Sequence, residues 1–218
     1  MTSPSGPPVP QPGRAFDLPA IGGGLPFARS LAALAEALGD GAAGGTAVVQ
    51  APPGTGKTTL VPPLLANLVA RPPAGAPAAP RRIVVTQPRR VAARAAARRL
   101  ADLDGSPLGS RVGYTVRGER RTGPETLIEF VTPGILLRRL LADPDLTAAG
   151  AVVLDEVHER GLETDLLFGM LTEVRQLRGD LTVVAMSATL DAPRFAALLG
   201  DHDGGGPAHV VGCPSALH

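Results

Sequence analysis

The residues best equipped for chemistry lie in one short run, Ala51-Pro52-Pro53-Gly54-Thr55-Gly56-Lys57-Thr58-Thr59, between an apolar strand-like segment and a helical pattern. Gly54 and Gly56 permit backbone conformations that turn successive amide N–H groups inward, so that they and the helix N-terminus bind phosphate oxygens. Lys57 is placed to reach the β and γ phosphates of a nucleoside triphosphate, and the Thr58 hydroxyl to ligate Mg²⁺. Of the 21 lysines and arginines in the chain, Lys57 is the only lysine. A compact ammonium fits between phosphates where a planar guanidinium does not. Gly54, Thr55, Gly56, Lys57, Thr58 and Thr59 form the expected nucleotide-binding set, with Ala51 where the strict pattern has its first glycine.

A second cluster, Asp155-Glu156-Val157-His158, follows the all-apolar run Ala151 to Leu154. Phosphoryl transfer to water needs a carboxylate that holds Mg²⁺ and a group that orients the attacking water. Asp155 and Glu156 fit those two roles, and Thr58 with Asp155 is the expected metal pair. Adjacent acids at a strand end are by themselves ordinary surface decoration; the upstream loop is what gives them meaning.

Positioning these groups requires strands that end at one place. Apolar runs rich in Val and Ile (Thr46 to Gln50, Ile83 to Thr86, Leu127 to Val131, Ala151 to Leu154 and Leu181 to Met186) read as buried strands, each followed by a helical pattern. Val112 to Val116 and His209 to Val211 are further strand candidates. The alternation predicts an α/β domain of three layers, a mostly parallel sheet with helices on both faces, whose ligands bind beyond the carboxyl ends of the strands. A helix is expected from Pro26, with Leu31, Leu34, Ala35 and Leu38 on one face and Gly39 and Gly41 ending it. Pro62 and Pro63 fall early in the helix after Lys57, where a kink is expected. Residues 1 to 24, rich in Pro, Gly and Ser, are expected to be a disordered tail, and Arg71 to Pro80 a low-complexity surface loop.

At 218 residues, 44% of them apolar and 19% charged, the chain suits one well-cored domain over residues 25–212. The single Cys213 cannot form an internal disulfide, and neither a signal peptide nor a long apolar span is visible, so the cytoplasm is the expected compartment. Net charge is only +1, but the stretch from Arg81 to Arg99 holds seven arginines and no acid, a candidate phosphate-contacting surface. Within it Ala92, Ala96, Leu100 and Leu103 make an apolar stripe opposite Arg90, Arg94 and Arg98. Arg94 and Arg98 read equally well as a solvated face, whereas Arg89 and Arg90, at a strand exit beside the site, favour phosphate contact.

The order of six segments resembles the DEAH/DExH-box helicases of superfamily 2, the bacterial HrpB type in particular. These are Ala51 to Thr59, Thr86-Gln87-Pro88-Arg89-Arg90-Val91-Ala92-Ala93, Val112 to Arg117, Thr132-Pro133-Gly134, Asp155 to Arg160, and Ser187-Ala188-Thr189. The resemblance implies a RecA-like ATP-binding lobe that binds ATP, Mg²⁺ and single-stranded RNA or DNA. It implies that Thr86, Arg89, Arg90 and Thr132 contact the phosphate backbone of a strand and that Arg99 stacks on adenine. It further implies that His158, Ser187 and Thr189 couple the state of the nucleotide to the relative position of two lobes. Val157 replaces the alanine of the strict DEAH spelling, and Pro133 stands where DEAH members usually carry an acid.

In that family the arginines that stabilise charge at the γ phosphate lie on a second lobe. No second phosphate-binding or arginine-rich motif follows here, so the expectation is an incomplete helicase, residues 213–218 beginning a linker or second lobe, with slow hydrolysis by this chain alone. A non-catalytic nucleotide-binding module that acts through a partner is the rival reading. A phosphate-binding-loop kinase would leave the arginine, Asp-Glu-Val-His and Ser-Ala-Thr segments unexplained.

Overall fold

The computed structural model describes residues 15–39, 44–69, 81–159, 161–189, 191–200 and 206–213. The expected loop from Arg71 to Pro80, the first fourteen residues of the expected tail, Gly41 and residues 214–218 lie outside these. The strands are β1 (Thr46–Gln50), β2 (Arg82–Thr86), β3 (Val112–Val116), β4 (Glu119–Arg121), β5 (Ile128–Val131), β6 (Ala149–Leu154), β7 (Thr182–Ser187) and β8 (His209–Gly212). The helices are α1 (Leu18–Ile21), α2 (Leu31–Leu38), α3 (Lys57–Val69), α4 (Arg90–Asp104), α5 (Pro133–Ala142), α6 (Leu162–Leu177) and α7 (Ala192–Leu199). Among the described residues the strands form one sheet in the order β4-β3-β5-β2-β6-β7-β1-β8. Only the pairing of β3 with β4 is antiparallel.

Period-two alternation divides the strand side chains between two cores. Val49, Ile83, Val85, Val153, Val184 and Met186 pack with Leu60 and Leu65 of α3 and Ala97 and Leu100 of α4. Their chain neighbours Val48, Val84, Val152, Leu154, Val183 and Ala185 pack with Leu136, Leu167, Leu171 and Phe195 of α5, α6 and α7. Both faces are covered, which is why the strands read as continuous apolar runs. Each fully buried Val or Leu contributes roughly 1.5–3 kcal/mol. This is the three-layer α/β arrangement expected.

Four local features differ from the expectation or add to it. The tail does not extend to residue 24. Phe16 is buried, its amide donating to Asn67 Oδ1 at 2.7 Å and its carbonyl accepting from Asn67 Nδ2 at 2.9 Å, and α1 is capped by the Asp17 carboxylate and anchored by buried Ile21. Two apolar anchors and a satisfied backbone outweigh the Pro/Gly-rich composition there. On α4 the buried line is Ala93, Ala97, Leu100 and Ala101, with Ala92, Ala96 and Leu103 only half-buried or less intimate, because an alanine-rich helix encodes its inner face weakly. Strand β4 carries Glu-Arg-Arg and no apolar alternation, and it exists through a tight turn at Gly118 (φ 82°) that folds it onto β3. Finally, α3 runs through Pro62 and Pro63 as one helix in which both prolines are buried, so the carbonyls of Thr58 and Thr59 go without the usual helical donor.

Inside β5 sits one charged side chain. Glu129 is fully buried and accepts from Arg139 at 2.6 and 3.0 Å, from Arg82 at 3.2 Å and from the Thr115 hydroxyl at 2.6 Å. Burial is the largest single influence and favours the neutral acid, but Arg139, Thr115 and Arg82 together hold the carboxyl below its ordinary value. The contribution to stability is therefore present above the unfolded value, about 4.3 for Glu, and is lost as pH falls through the lower folded value. Glu129→Gln is expected to cost about 2–4 kcal/mol at neutral pH, read from chemical unfolding. The gap between wild type and variant should narrow as the pH is lowered below about 4; a gap independent of pH would refute the ion-pair account.

Candidate nucleotide site

Four strands that are neighbours in the sheet, β2, β6, β7 and β1, end together, and each hands the chain to a polar segment. The loop after β1 carries Gly54 and Gly56 at φ 77° and 93°, left-handed values that glycine alone adopts freely. The Thr55 hydroxyl donates to the Pro52 carbonyl at 2.8 Å, and the amides of Thr59 and Leu60 donate to the Gly56 carbonyl at 3.0 and 2.9 Å, closing the first turn of α3. Ala51, fully buried, donates its amide to the Ser187 carbonyl at 3.1 Å and ties this exit to that of β7.

Asp155, at the end of β6, is the hub. The Thr58 hydroxyl donates to Asp155 Oδ2 at 2.6 Å, Gln87 Nε2 donates to the same oxygen at 2.5 Å, and the Glu156 amide donates to Oδ1 at 2.9 Å. Enclosure pushes the Asp155 carboxyl up to about 6; the nearby Glu156 charge adds to that, while the Thr58 hydroxyl and Lys57 oppose it. Thr58 Oγ1 and a carboxylate oxygen this close are hard donors of the kind Mg²⁺ takes when phosphate and water complete its shell, so the residues present fit that ion. A divalent cation there would favour the ionised carboxylate.

Glu156 sits at φ 53°, a left-handed conformation costly for a side chain with a Cβ. That backbone turn points its carboxylate at two partners, Lys57 Nζ at 3.2 Å and His158 Nδ1 at 3.3 Å. The same His158 nitrogen lies 3.3 Å from the Ala188 amide. One ring nitrogen cannot serve both contacts, since accepting from Ala188 needs its lone pair and donating to Glu156 needs a proton. His158 thus stands between the carboxylate and the Ser187-Ala188-Thr189 segment, where Ser187 Oγ and Thr189 Oγ1 are 3.2 Å apart and the Thr189 amide also faces Ser187 Oγ at 3.2 Å.

The structure thus brings together Gly54, Thr55, Gly56, Lys57, Thr58, Thr59, Asp155, Glu156, His158, Ser187 and Thr189. It treats the expected strand-contacting residues unevenly. Thr86, the last residue of β2, is buried, and its hydroxyl faces the Val153 carbonyl at 3.4 Å. Arg89 is exposed and pairs with Glu159 at 3.1 and 3.2 Å, and Arg90 is exposed at the start of α4. Thr132 is half-buried in extended backbone just before α5. Arg94 pairs with Glu119 at 2.7 Å, Arg98 is exposed, and Arg99 is exposed on α4 apart from the bonded cluster. Arg160 lies outside the described residues.

Both departures from the resembled pattern have local reasons. Val157 is buried in the second core, where its extra methyls pack. Pro133 takes the first helical position of α5, where proline's fixed φ suits the helix and its missing N–H costs nothing. Sequence reasoning gave no role to Gln87, whose buried amide is a direct partner of Asp155; its signal was its place in the Thr86-to-Ala93 segment at a strand exit.

A DEAD/DEAH box helicase profile matches residues 32–197. The chain belongs to the DEAD/DEAH box helicase family. It is 43% identical over 150 residues, 69% of its length, to a protein of Caenorhabditis elegans named as a probable ATP-dependent RNA helicase, DHX35 homolog, of which it covers 20%. It is similar to the crystal structure of the Escherichia coli DEAH/RHA helicase HrpB, with a TM-score of 0.72 and 40% identity over 88% of this chain and 22% of that one. The sheet is therefore of the RecA-like helicase type, and the chain spans about a fifth of the length of either relative.

Gln87→Leu removes one of three donors to Asp155. The variant is expected to need about tenfold or more Mg²⁺ to reach half-maximal nucleotide binding, as for other partners of a metal ligand. Magnesium titration of a fluorescent ATP analogue reads this; an unchanged midpoint would remove Gln87 from the site.

Proposed function

We propose that this chain is the ATP-binding lobe of an RNA helicase that hydrolyses ATP in the presence of Mg²⁺ and engages a single strand. One observation carries the reading. The ammonium of the only lysine, the Thr58 hydroxyl and the carboxylates of Asp155 and Glu156 form a single bonded cluster at the ends of adjacent strands. RNA is favoured over DNA because the C. elegans relative is named as an RNA helicase.

In this reading the amides around Gly54, Thr55 and Gly56 bind the phosphates of ATP, and Lys57 leaves Glu156 for the β and γ phosphates. The exchange matters because it releases Glu156 to orient and deprotonate the attacking water. Thr58 and Asp155 would hold Mg²⁺, which would supply positive charge to offset that of the triphosphate. His158 trades Glu156 for the Ser187-Ala188-Thr189 segment as the carboxylate moves, which links nucleotide state to the surface where a second lobe would act. Arg89, Arg90 and Thr132 contact the strand backbone, and Arg99 stacks on adenine. The second RecA-like lobe is the partner that completes the γ-phosphate environment. The proposed compartment is the cytoplasm; no helix among the described residues is long and apolar enough to cross a membrane.

ATP turnover by the purified chain, with and without single-stranded RNA or DNA, tests this. Slow turnover stimulated by RNA is expected, and Glu156→Gln should lower it about a hundredfold or more while nucleotide still binds. Binding without turnover, unrestored when a second lobe is supplied separately, would favour a non-catalytic module instead.

A further inference from the structure

The segment upstream of the first strand lies against the phosphate-binding loop. The Phe27 amide donates to the Thr55 carbonyl at 3.0 Å. A Cβ at Gly56 would fall 2.7 Å from Leu25 Cδ1 and 3.0 Å from Leu25 Cβ, so the Leu25 side chain occupies the flank of that glycine. On the outer side of the loop Pro52, Pro53 and Gly54 are exposed.

We propose that Leu25 and Phe27 position the phosphate-binding loop, holding the Thr55–Gly56 peptide in the orientation that presents the Gly56 N–H to phosphate. The inference rests on the nucleotide-site reading above. A trans peptide points its carbonyl and its N–H in opposite directions. With the Thr55 carbonyl fixed on Phe27, the Gly56 N–H faces away from the Leu25–Phe27 segment, toward the open side of the loop. Leu25, packed against the flank of Gly56, restricts the movement of that peptide.

A positioning element must itself be fixed, and this one is. Phe27 is fully buried in the core beneath α3. The Leu25 amide donates to the Gly22 carbonyl at 2.9 Å, and Gly22 packs so closely on Leu60 of α3 that a Cβ there would lie 2.9 Å from Leu60 Cδ2. Downstream, the Ser30 hydroxyl donates to the Gly212 carbonyl at 2.9 Å and ties the segment to β8. The loop is therefore braced from a part of the chain that carries none of its motif residues.

The test compares affinities for MgATP and for AMP, which lacks the β and γ phosphates, in wild type, Leu25→Ala, Leu25→Met and Leu31→Ala. The ratio of the two affinities is insensitive to any loss of folded protein, so it separates positioning from stability. Leu25→Ala should lower the MgATP-to-AMP ratio about tenfold, whereas Leu25→Met, which restores bulk, and Leu31→Ala, an equal deletion on α2, should leave it within about twofold. An unchanged ratio in Leu25→Ala, or an equal fall in Leu31→Ala, would overturn the proposal while leaving the nucleotide site intact. A wild type that shows no preference for MgATP over AMP would instead bring down the nucleotide-site reading and this inference with it.

Discussion

A carboxylate withdrawn from water must find its hydrogen bonds within the protein or give up its charge. Asp155 is held in that balance. Its oxygens accept from Thr58, Gln87 and the Glu156 amide, and its carboxyl is still pushed up to about 6 by enclosure. Each donor arrives from a different part of the fold: Thr58 from the first turn of α3, Gln87 from the exit of β2, and Glu156 from a left-handed turn after β6. The site can form only if β2, β6, β7 and β1 end at the same level, and the parallel sheet with its two covered faces provides that alignment. The packing of the cores and the polarity of the site are thus two sides of one constraint.

The same geometry holds Lys57 and Glu156 as a mutually satisfied pair. Lys57, nearly enclosed, is neutralised by Glu156, which also faces His158. In the function proposed above, phosphate would compete for the lysine and free a carboxylate whose other partner, His158, lies 3.3 Å from the Ala188 amide. On that proposal a charge exchange across a few ångströms would link nucleotide to a neighbouring lobe without a large rearrangement of the sheet.

Much of this was legible in the residues because the functional groups sit in contiguous runs tied to strand ends. The glycine spacing before Lys57 and the apolar run before Asp155 marked both the elements and the polar residues that meet at their ends, and the strands announced themselves through Val and Ile. What escaped depended on partners distant in sequence. Phe16 and Ile21 anchor a Pro/Gly-rich segment through contacts that composition hides, and β4 has no apolar side chain to betray it. The alanines of α4 gave too little contrast to fix its buried face. Nothing in the sequence marks Thr86 as enclosed; at the end of β2 it is buried, with its hydroxyl facing the Val153 carbonyl. Gln87 stands in the Thr86-to-Ala93 segment with no role legible there, since only the adjacency of β2 and β6 places its amide on Asp155.

The claim that everything converges on Asp155 is tested most directly by calorimetric titration of ATP into wild type and Asp155→Asn, each with and without Mg²⁺. Asparagine keeps the size of the side chain and part of its hydrogen bonding but removes the charge. The account predicts that Mg²⁺ strengthens binding to wild type and has little effect on the variant. Equal strengthening by Mg²⁺ in both would contradict it and place the ion elsewhere.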